Sequence, residues 1–354
     1  SPCAVQLFAA QSMRIAILGS GISAASCAQL LSKKHAVTVF EDGRGPGGRM
    51  STRRSGSYQW DHGAQYFSPK SEAFARVVDD WRARGLCERW EGTHCLWSAA
   101  GGLSPDPKAE KSKRFVGSPG MNAIAKGLLE GIETRFETRA LARRSGNSWV
   151  LQHGKTGEPL GSFDFLICSD KCSAQHHRND LEKELLRGYL EPAQAVRSAP
   201  SLALMVATQK THLGFASLLL EDHPEFSWLA RDDSKPSRLR SDGAECWVAH
   251  ASPALAKRLI GSYKSSKGPR NFREAIVRDL LPPFEALLST LNGGVASPKI
   301  LLAEGHRWGA AIPTGSFPDF PGAAEGAGGG PFYLDTANAF AACGIFGPGG
   351  RGVD

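Results

Sequence analysis

The stretch "GSGISA", with an acid twenty residues beyond its second glycine, is the part of the chain whose residue types and spacing most directly specify chemistry. Gly19 permits a tight turn, Gly21 lets the backbone come close to a pyrophosphate, and Glu41 can accept a hydrogen bond from a ribose 2′-hydroxyl. A glycine turn that opens a helix binds anions because the free backbone N–H groups and the helix dipole converge on one spot. The elements that must hold these residues are readable around them. "MRIAILGSGISAASCAQLLSKKHAVTVFE" reads as an apolar strand, a glycine turn, a helix with small residues on its inner face, and a second apolar strand ending in the acid. Ala24 stands at the third glycine position, which the fingerprint tolerates. The whole reads as a βαβ dinucleotide-binding unit; the alternative is a structural βαβ unit whose glycines serve packing only.

The next stretch bears on which dinucleotide. "GRGPGGRMSTRR", residues 43–54, resembles the second glycine motif of FAD enzymes of the amine-oxidase superfamily. That resemblance implies that Gly47 and Gly48 admit the diphosphate and that Arg49 adds a fixed charge beside it. Taken without its neighbours, the same stretch would be a flexible loop. Further motifs resemble the renalase-like branch of the superfamily. These are "WDHGAQYF" at 60–67, "FVGSPGMNAIAKGL" at 115–128, "FSWLARDDSKPSR" at 226–238, "WVAHASPALAKRL" at 247–259 and "HRWGAAIP" at 306–313. They fall in the family's order across most of residues 13–354. Each alone is open to a plainer reading, with Trp60, Trp228 and Trp308 as core aromatics and His62 and His250 as structural histidines.

The resemblance implies non-covalent FAD on Gly19, Ser20, Gly21, Ile22, Ser23, Glu41, Gly47, Gly48, Arg49, Met50, Ala64, Gln65, Ala140, Gly344 and Gly350. It makes His62, Gln65, Tyr66 and Trp308 the pocket candidates, and hydride transfer from a reduced nicotinamide-like or amine substrate the expected reaction. The implied fold is α/β, a discontinuous doubly wound Rossmann-like FAD domain with an inserted α+β substrate domain. Residues 1–12 would be an extension, 13–70, 115–170 and 295–354 the FAD domain, and 71–114 and 171–294 the substrate domain. Within the latter, 201–208 and 245–252 read as strands and 271–291 as helices broken at Pro282 and Pro283. "RDDSKPSRLRSDG" and "FPDFPGAAEGAGGGP" read as loops.

The ending departs from the family pattern. In "ACGIFGPGGRGVD", Ile345 stands where the superfamily has an aspartate on the ribityl chain, and the chain stops at Asp354 before the helix that would face the flavin. Losing a charge-assisted hydrogen bond of about 1.5 to 3 kcal/mol and a helix terminus of about 0.3 to 2 kcal/mol would weaken FAD by about two orders of magnitude. This leaves a second reading, a catalytically retired fold acting as a structural or interaction subunit of a larger complex.

Composition bounds the rest. With 354 residues, 41% of them hydrophobic and 22% charged, the chain can bury a large core. Its 42 basic and 35 acidic residues give a net charge of +7, but the basic residues are scattered and no nucleic-acid motif accompanies them. No run of 18 apolar residues suggests a transmembrane helix. The eight cysteines contain no CxxC pair and no zinc spacing, which points to a reducing compartment, cytoplasm or an organelle interior after presequence removal. Cys168 and Cys172 read as buried thiols at a strand end. No Ser-His-Asp order or metal triad suggests hydrolysis.

Overall fold

Arg14–Leu18 (β1) exposes only its arginine and buries the four apolar residues that follow, and Ala36–Phe40 (β2) likewise exposes its first residue and buries Val37, Thr38, Val39 and Phe40. Runs buried on both faces are what a parallel sheet between helices requires. Between them, the helix Ile22–Leu31 (α1) buries Ala24, Ala25 and Ala28, whose small side chains let it close onto the sheet. A computed structural model describes residues 12–169, 171–175, 178–264, 271–313 and 332–344. The chain forms two compact units, the first drawn from Ser1–Pro46, Leu128–Ala195 and Phe317–Gly347, the second from Gly47–Gly127, Val196–Ser316 and Pro348–Asp354.

The first unit is built on a six-stranded sheet in the order Phe332–Asp335, Phe340–Cys343, Phe165–Cys168, β1, β2, Glu133–Arg135. All neighbours are parallel except the edge strand Phe332–Asp335, which runs against Phe340–Cys343. A three-stranded antiparallel sheet, Ala140–Ser145, Ser148–His153 and Pro159–Phe163, belongs to the same unit. Its Trp149 packs against Phe340 and donates to the carbonyl of Ala339 at 3.0 Å. This is the expected α/β Rossmann-like architecture.

The second unit carries a seven-stranded sheet in the order Ile300–Pro313, Ser198–Thr208, Glu245–Ala251, Phe226–Arg231, Ser217–Leu220, His94–Ser98, Gly102–Pro105. The pairing is antiparallel except between Ser217–Leu220 and His94–Ser98. The strand Ser198–Thr208 alternates its two buried faces. Leu202, Leu204 and Val206 face the helices Pro253–Tyr263 and Phe272–Leu291, while Met205 and Ala207 pack with Trp60, Cys246 and Val248. The Trp60 indole donates to the carbonyl of Val206 at 3.3 Å, so the hairpin Thr52–Ser55/Tyr58–Asp61 is anchored on this sheet.

Four expectations change. Phe272–Leu291 is one helix, with Pro282 and Pro283 inside it rather than at a break. Ile276, Leu280, Phe284, Leu287 and Leu288 are buried along one face, and that packing outweighs the two missing backbone donors. Residues 47–70, 115–127 and 295–316, grouped above with the nucleotide domain, fall in the second unit, since Trp60 packs on its sheet and Ile300–Pro313 pairs with Ser198–Thr208. Residues 171–195 fall in the first unit, where Tyr189 packs against Phe340 and its hydroxyl lies 3.8 Å from the Cys168 thiol. Cys168 ends a buried strand, whereas Cys172 is half-buried in a short turn of 3-10 helix at Lys171–Ala174.

Candidate functional site

In the first unit the glycine turn, the start of α1 and the end of β2 come together. Gly19 sits at φ +95, a conformation side chains disfavour, and its N–H donates to the carbonyl of Phe40 at 2.8 Å. The fully buried Ser20 donates to one Glu41 oxygen from both its N–H, at 2.9 Å, and its hydroxyl, at 2.6 Å. The other Glu41 oxygen accepts from the N–H of Gly43 at 2.6 Å. An ionised carboxylate has about four lone-pair sites, so this one is held rigidly with acceptor capacity left over. The backbone around it is tied down as well, with Glu41 N–H on the carbonyl of Arg135 and Thr138 N–H on that of Glu41. The buried Ala140 begins the strand just beyond.

Gly21 caps α1 in extended conformation, and a Cβ added there would meet nothing within 4 Å among the described residues. The first turn of α1, Ile22 and Ser23 included, has no side-chain cap and no acidic residue. Gly344, at φ +105, closes the same corner: a Cβ on it would lie 3.2 Å from the Ser169 carbonyl oxygen and 3.6 Å from the Ser23 hydroxyl. The unit thus brings a helix start, its dipole and one fixed carboxylate together beside a glycine with no Cβ, and these fit a diphosphate and a ribose. Ile345 and Gly350 lie outside the described residues.

In the second unit, Gly47 at φ +124 and Gly48 at φ +53 lead into a 3-10 turn, Gly48–Met50, whose Met50 is buried. The exposed Arg49 donates to the carbonyl of Ala311 at 3.2 Å. Its own carbonyl accepts from Ala64 N–H at 2.9 Å, and a Cβ on Gly63 would sit 2.1 Å from that oxygen. The "GGRM" turn and the "HGAQ" segment are therefore interlocked.

One carboxylate joins four of the motifs. Asp61 accepts from Met121 N–H at 2.9 Å and Thr52 hydroxyl at 2.7 Å, and meets Arg238 at 2.6 Å and Lys235 at 3.3 Å. Asp232 completes a buried quartet, 2.6 Å from Lys235 and 2.7 Å from Arg238. Burial alone would raise the Asp61 carboxyl, but Lys235 and Arg238, then Met121 N–H and Thr52, hold it below its ordinary value. The Gln65 amide donates to the carbonyl of Asp61 and, at 3.2 Å, to that of Gly63, while its oxygen faces Lys235 at 3.5 Å.

The remaining candidates lie around this core. The Arg114 guanidinium is 4.3 Å from the Tyr66 ring centroid and paired with Asp106 at 2.5 Å, both charges buried. Tyr66 also leans on Trp228 at 5.7 Å. His62 stacks on Trp308 at 4.9 Å and meets His306 edge-on at 4.5 Å. Its carbonyl accepts from the Trp308 indole at 3.0 Å and lies 3.1 Å from His250 Nε2. Burial, followed by the neighbouring His306 and Arg53, pushes the His62 imidazole down to about 3, so it is neutral at ordinary pH. The buried Nδ1 of His62 and indole N–H of Trp228 have no partner among the described residues.

Asp61, Asp232, Lys235, Arg238 and Arg114 were not among the sequence candidates. Their signal is weak, since charges in a Ser- and Pro-rich loop resemble a solvated surface, and the partners stand 174 residues apart in the Lys235–Asp61 pair.

Comparison with known proteins agrees with the fold. Residues 17–81 match the family model of an NAD(P)-binding Rossmann-like domain. A putative protoporphyrinogen oxidase from Exiguobacterium sp. 255-15 superposes with a TM-score of 0.63 at 13% identity, covering 87% of this chain and 89% of that one. Reduced UDP-galactopyranose mutase gives 0.63 at 12% identity over 86% and 83% of the two chains. Putrescine oxidase bound to putrescine gives 0.59 at 12% over 83% and 84%. The chain shares the fold of these enzymes. No described helix is long and apolar enough to cross a membrane.

Proposed function

We propose that the chain is a FAD-dependent oxidoreductase of renalase-like chemistry, taking hydride from a reduced nicotinamide-like or amine substrate. The observation that carries this reading is the open cradle at Gly21, where the uncapped start of α1 meets a Glu41 carboxylate fixed at both oxygens with acceptor capacity to spare. Gly19, Ser20, Ile22, Ser23 and Gly344 shape that cradle within the first unit. The bound isoalloxazine would supply the hydride-accepting chemistry.

The chain's own residues bind and orient. Lys235 and two backbone carbonyls fix the Gln65 amide, so its hydrogen-bonding face does not need to reorganise when substrate arrives. Arg114 braces the Tyr66 ring from one side, leaving a rigid aromatic surface on the pocket segment. His62 stays neutral and holds no proton to give near neutral pH. Hydride transfer from a reduced nicotinamide asks for neither a protein acid nor a base, whereas a protonated amine must first lose a proton, for which His62 at about 3 is a weak base; this favours the nicotinamide class, while the likeness to putrescine oxidase supports the amine class.

Reconstitution with FAD followed by anaerobic mixing tests the reading. Retained yellow colour that bleaches with reduced nicotinamide or with an amine supports it. Retained flavin that neither bleaches removes the oxidoreductase activity, and failure to hold flavin at all removes the cofactor and leaves the retired-fold reading.

A further inference from the structure

Two thiols from distant parts of the chain meet beside the cradle. Cys27 lies one turn beyond Ser23 on α1, and Cys343 is the last residue of the strand that leads into Gly344. Their sulfurs are 3.9 Å apart across a sequence separation of 316 residues. Both are half-buried, as is Cys172, whereas Cys87, Cys95, Cys168 and Cys246 are buried. We propose that Cys27 and Cys343 are a redox site that closes to a disulfide by exchange with a low-molecular-weight disulfide such as oxidised glutathione, and that closure weakens dinucleotide binding at the adjoining Ser23–Gly344 corner. The second half rests on the dinucleotide reading above; the first does not.

The step balances. The Cys27 thiolate attacks one sulfur of the small disulfide, breaking its S–S bond and releasing one thiolate. The Cys343 sulfur then attacks Cys27 in the mixed disulfide, forming the internal bond and expelling the second thiolate. Two electrons leave the cysteines for the small disulfide, and their two protons go to the released thiolates. The roles follow from the surroundings: contact with the Cys343 thiol holds Cys27 below its ordinary value, while the same contact, with burial, raises Cys343. A disulfide needs sulfurs about 2.05 Å apart, so closure draws the second turn of α1 towards the last strand. The space between Ser23 and Gly344, already near van der Waals contact for a Cβ at 3.6 Å, then narrows.

The test uses the full chain, reduced, equilibrated in glutathione buffers of graded oxidised-to-reduced ratio, acid-quenched, alkylated and mapped by peptide mass. A cross-link joining the Cys27 and Cys343 peptides is expected, absent in Cys27→Ser and Cys343→Ser and present in Cys168→Ser. FAD titration of the cross-linked protein should show affinity lower by about tenfold, the equivalent of one hydrogen bond withdrawn from the ligand, restored by dithiothreitol. Both cysteines alkylated at the most oxidising ratio, or a glutathione adduct that stops at Cys27, overturns the redox site. Unchanged FAD affinity in cross-linked protein overturns the gating. Absence of FAD binding in both redox states overturns the dinucleotide reading and the gating with it, while the mass map still decides the disulfide.

Discussion

The two polar regions of this chain use charge in opposite ways. At the Gly19–Glu41 cradle a single acid is held by local donors, and the helix start beside it has no side-chain cap among the described residues. In the Asp61 quartet two acids and two bases neutralise one another out of water, drawing together segments that the sequence keeps far apart. Open polar groups around space that admits a Cβ are arranged for something else to arrive. Closed ones are arranged to hold segments of their own unit together. Damage to the first should therefore affect ligand binding at little cost in stability, and damage to the second should do the reverse.

The largest effect belongs to the quartet. Asp61→Asn leaves Lys235 and Arg238 sharing one buried acid, and removing one partner from a buried ion pair typically costs about 3 to 5 kcal/mol. Urea denaturation should show a loss of that order. Asp232→Asn combined with Lys235→Met, which removes one charge of each sign, should cost less than the two single changes added together. A loss under about 1 kcal/mol for Asp61→Asn would mean that water reaches the cluster and that the segments are held by packing alone.

The same contrast explains what could be read from the sequence. The cradle was legible because its parts are local: two glycines, a helix of small residues and an acid, all within Arg14–Glu41, with spacing dictated by one strand, one turn and one helix. The quartet was not legible, because Asp61, Asp232, Lys235 and Arg238 become a unit only when the hairpin ending at Asp61 docks against the loop after Phe226–Arg231. Tertiary packing also overrode the local signal at Pro282 and Pro283, where a buried face carries the helix through a pair of residues that would otherwise end it.

A second effect on the closed region comes from acid. Burial is the main cause that pushes His62 to about 3 and His250 and His306 to about 4. The unfolded chain takes up protons on these groups as pH falls through about 6.5 while the folded chain does not, so their contribution to stability is present above 6.5 and lost towards 4. Asp233, pushed by burial to about 6, acts in the opposite sense, binding a proton in the folded state between 6 and the ordinary carboxylate range. The balance near pH 5 is an uptake of about two protons on unfolding, or about 2 to 3 kcal/mol of stability per pH unit. Denaturation midpoints from pH 7 to 4.5 should fall accordingly, and more steeply in Asp233→Asn. A flat profile would show that the histidines titrate as exposed groups.

On the open side, Glu41→Ala removes the acid offered to a ribose. FAD affinity should fall by about ten- to a hundredfold, as expected for a hydrogen bond to a charged group of about 1.5 to 3 kcal/mol. Fluorescence titration decides it, and an unchanged dissociation constant would place the ribose elsewhere.

The finest distinction comes from adding the same methyl group to each region. A Cβ on Gly63 would stand 2.1 Å from the Arg49 carbonyl oxygen and 3.0 Å from the Trp308 ring, so Gly63→Ala must push the "GGRM" turn and the "HGAQ" segment apart. Such overpacking costs about 1 to 3 kcal/mol, measurable by thermal or urea denaturation without any ligand. At Gly21 the backbone has φ −68 and ψ 176, which any residue adopts, and the new Cβ meets nothing within 4 Å. Gly21→Ala should leave unfolding within about 0.5 kcal/mol of the parent, the range of a harmless surface change. Its methyl group would nonetheless occupy the approach a pyrophosphate needs, so FAD titration should show a loss that denaturation does not. If Gly21→Ala binds FAD as the parent does, the space beside the helix is incidental, and the glycine serves the turn rather than a ligand.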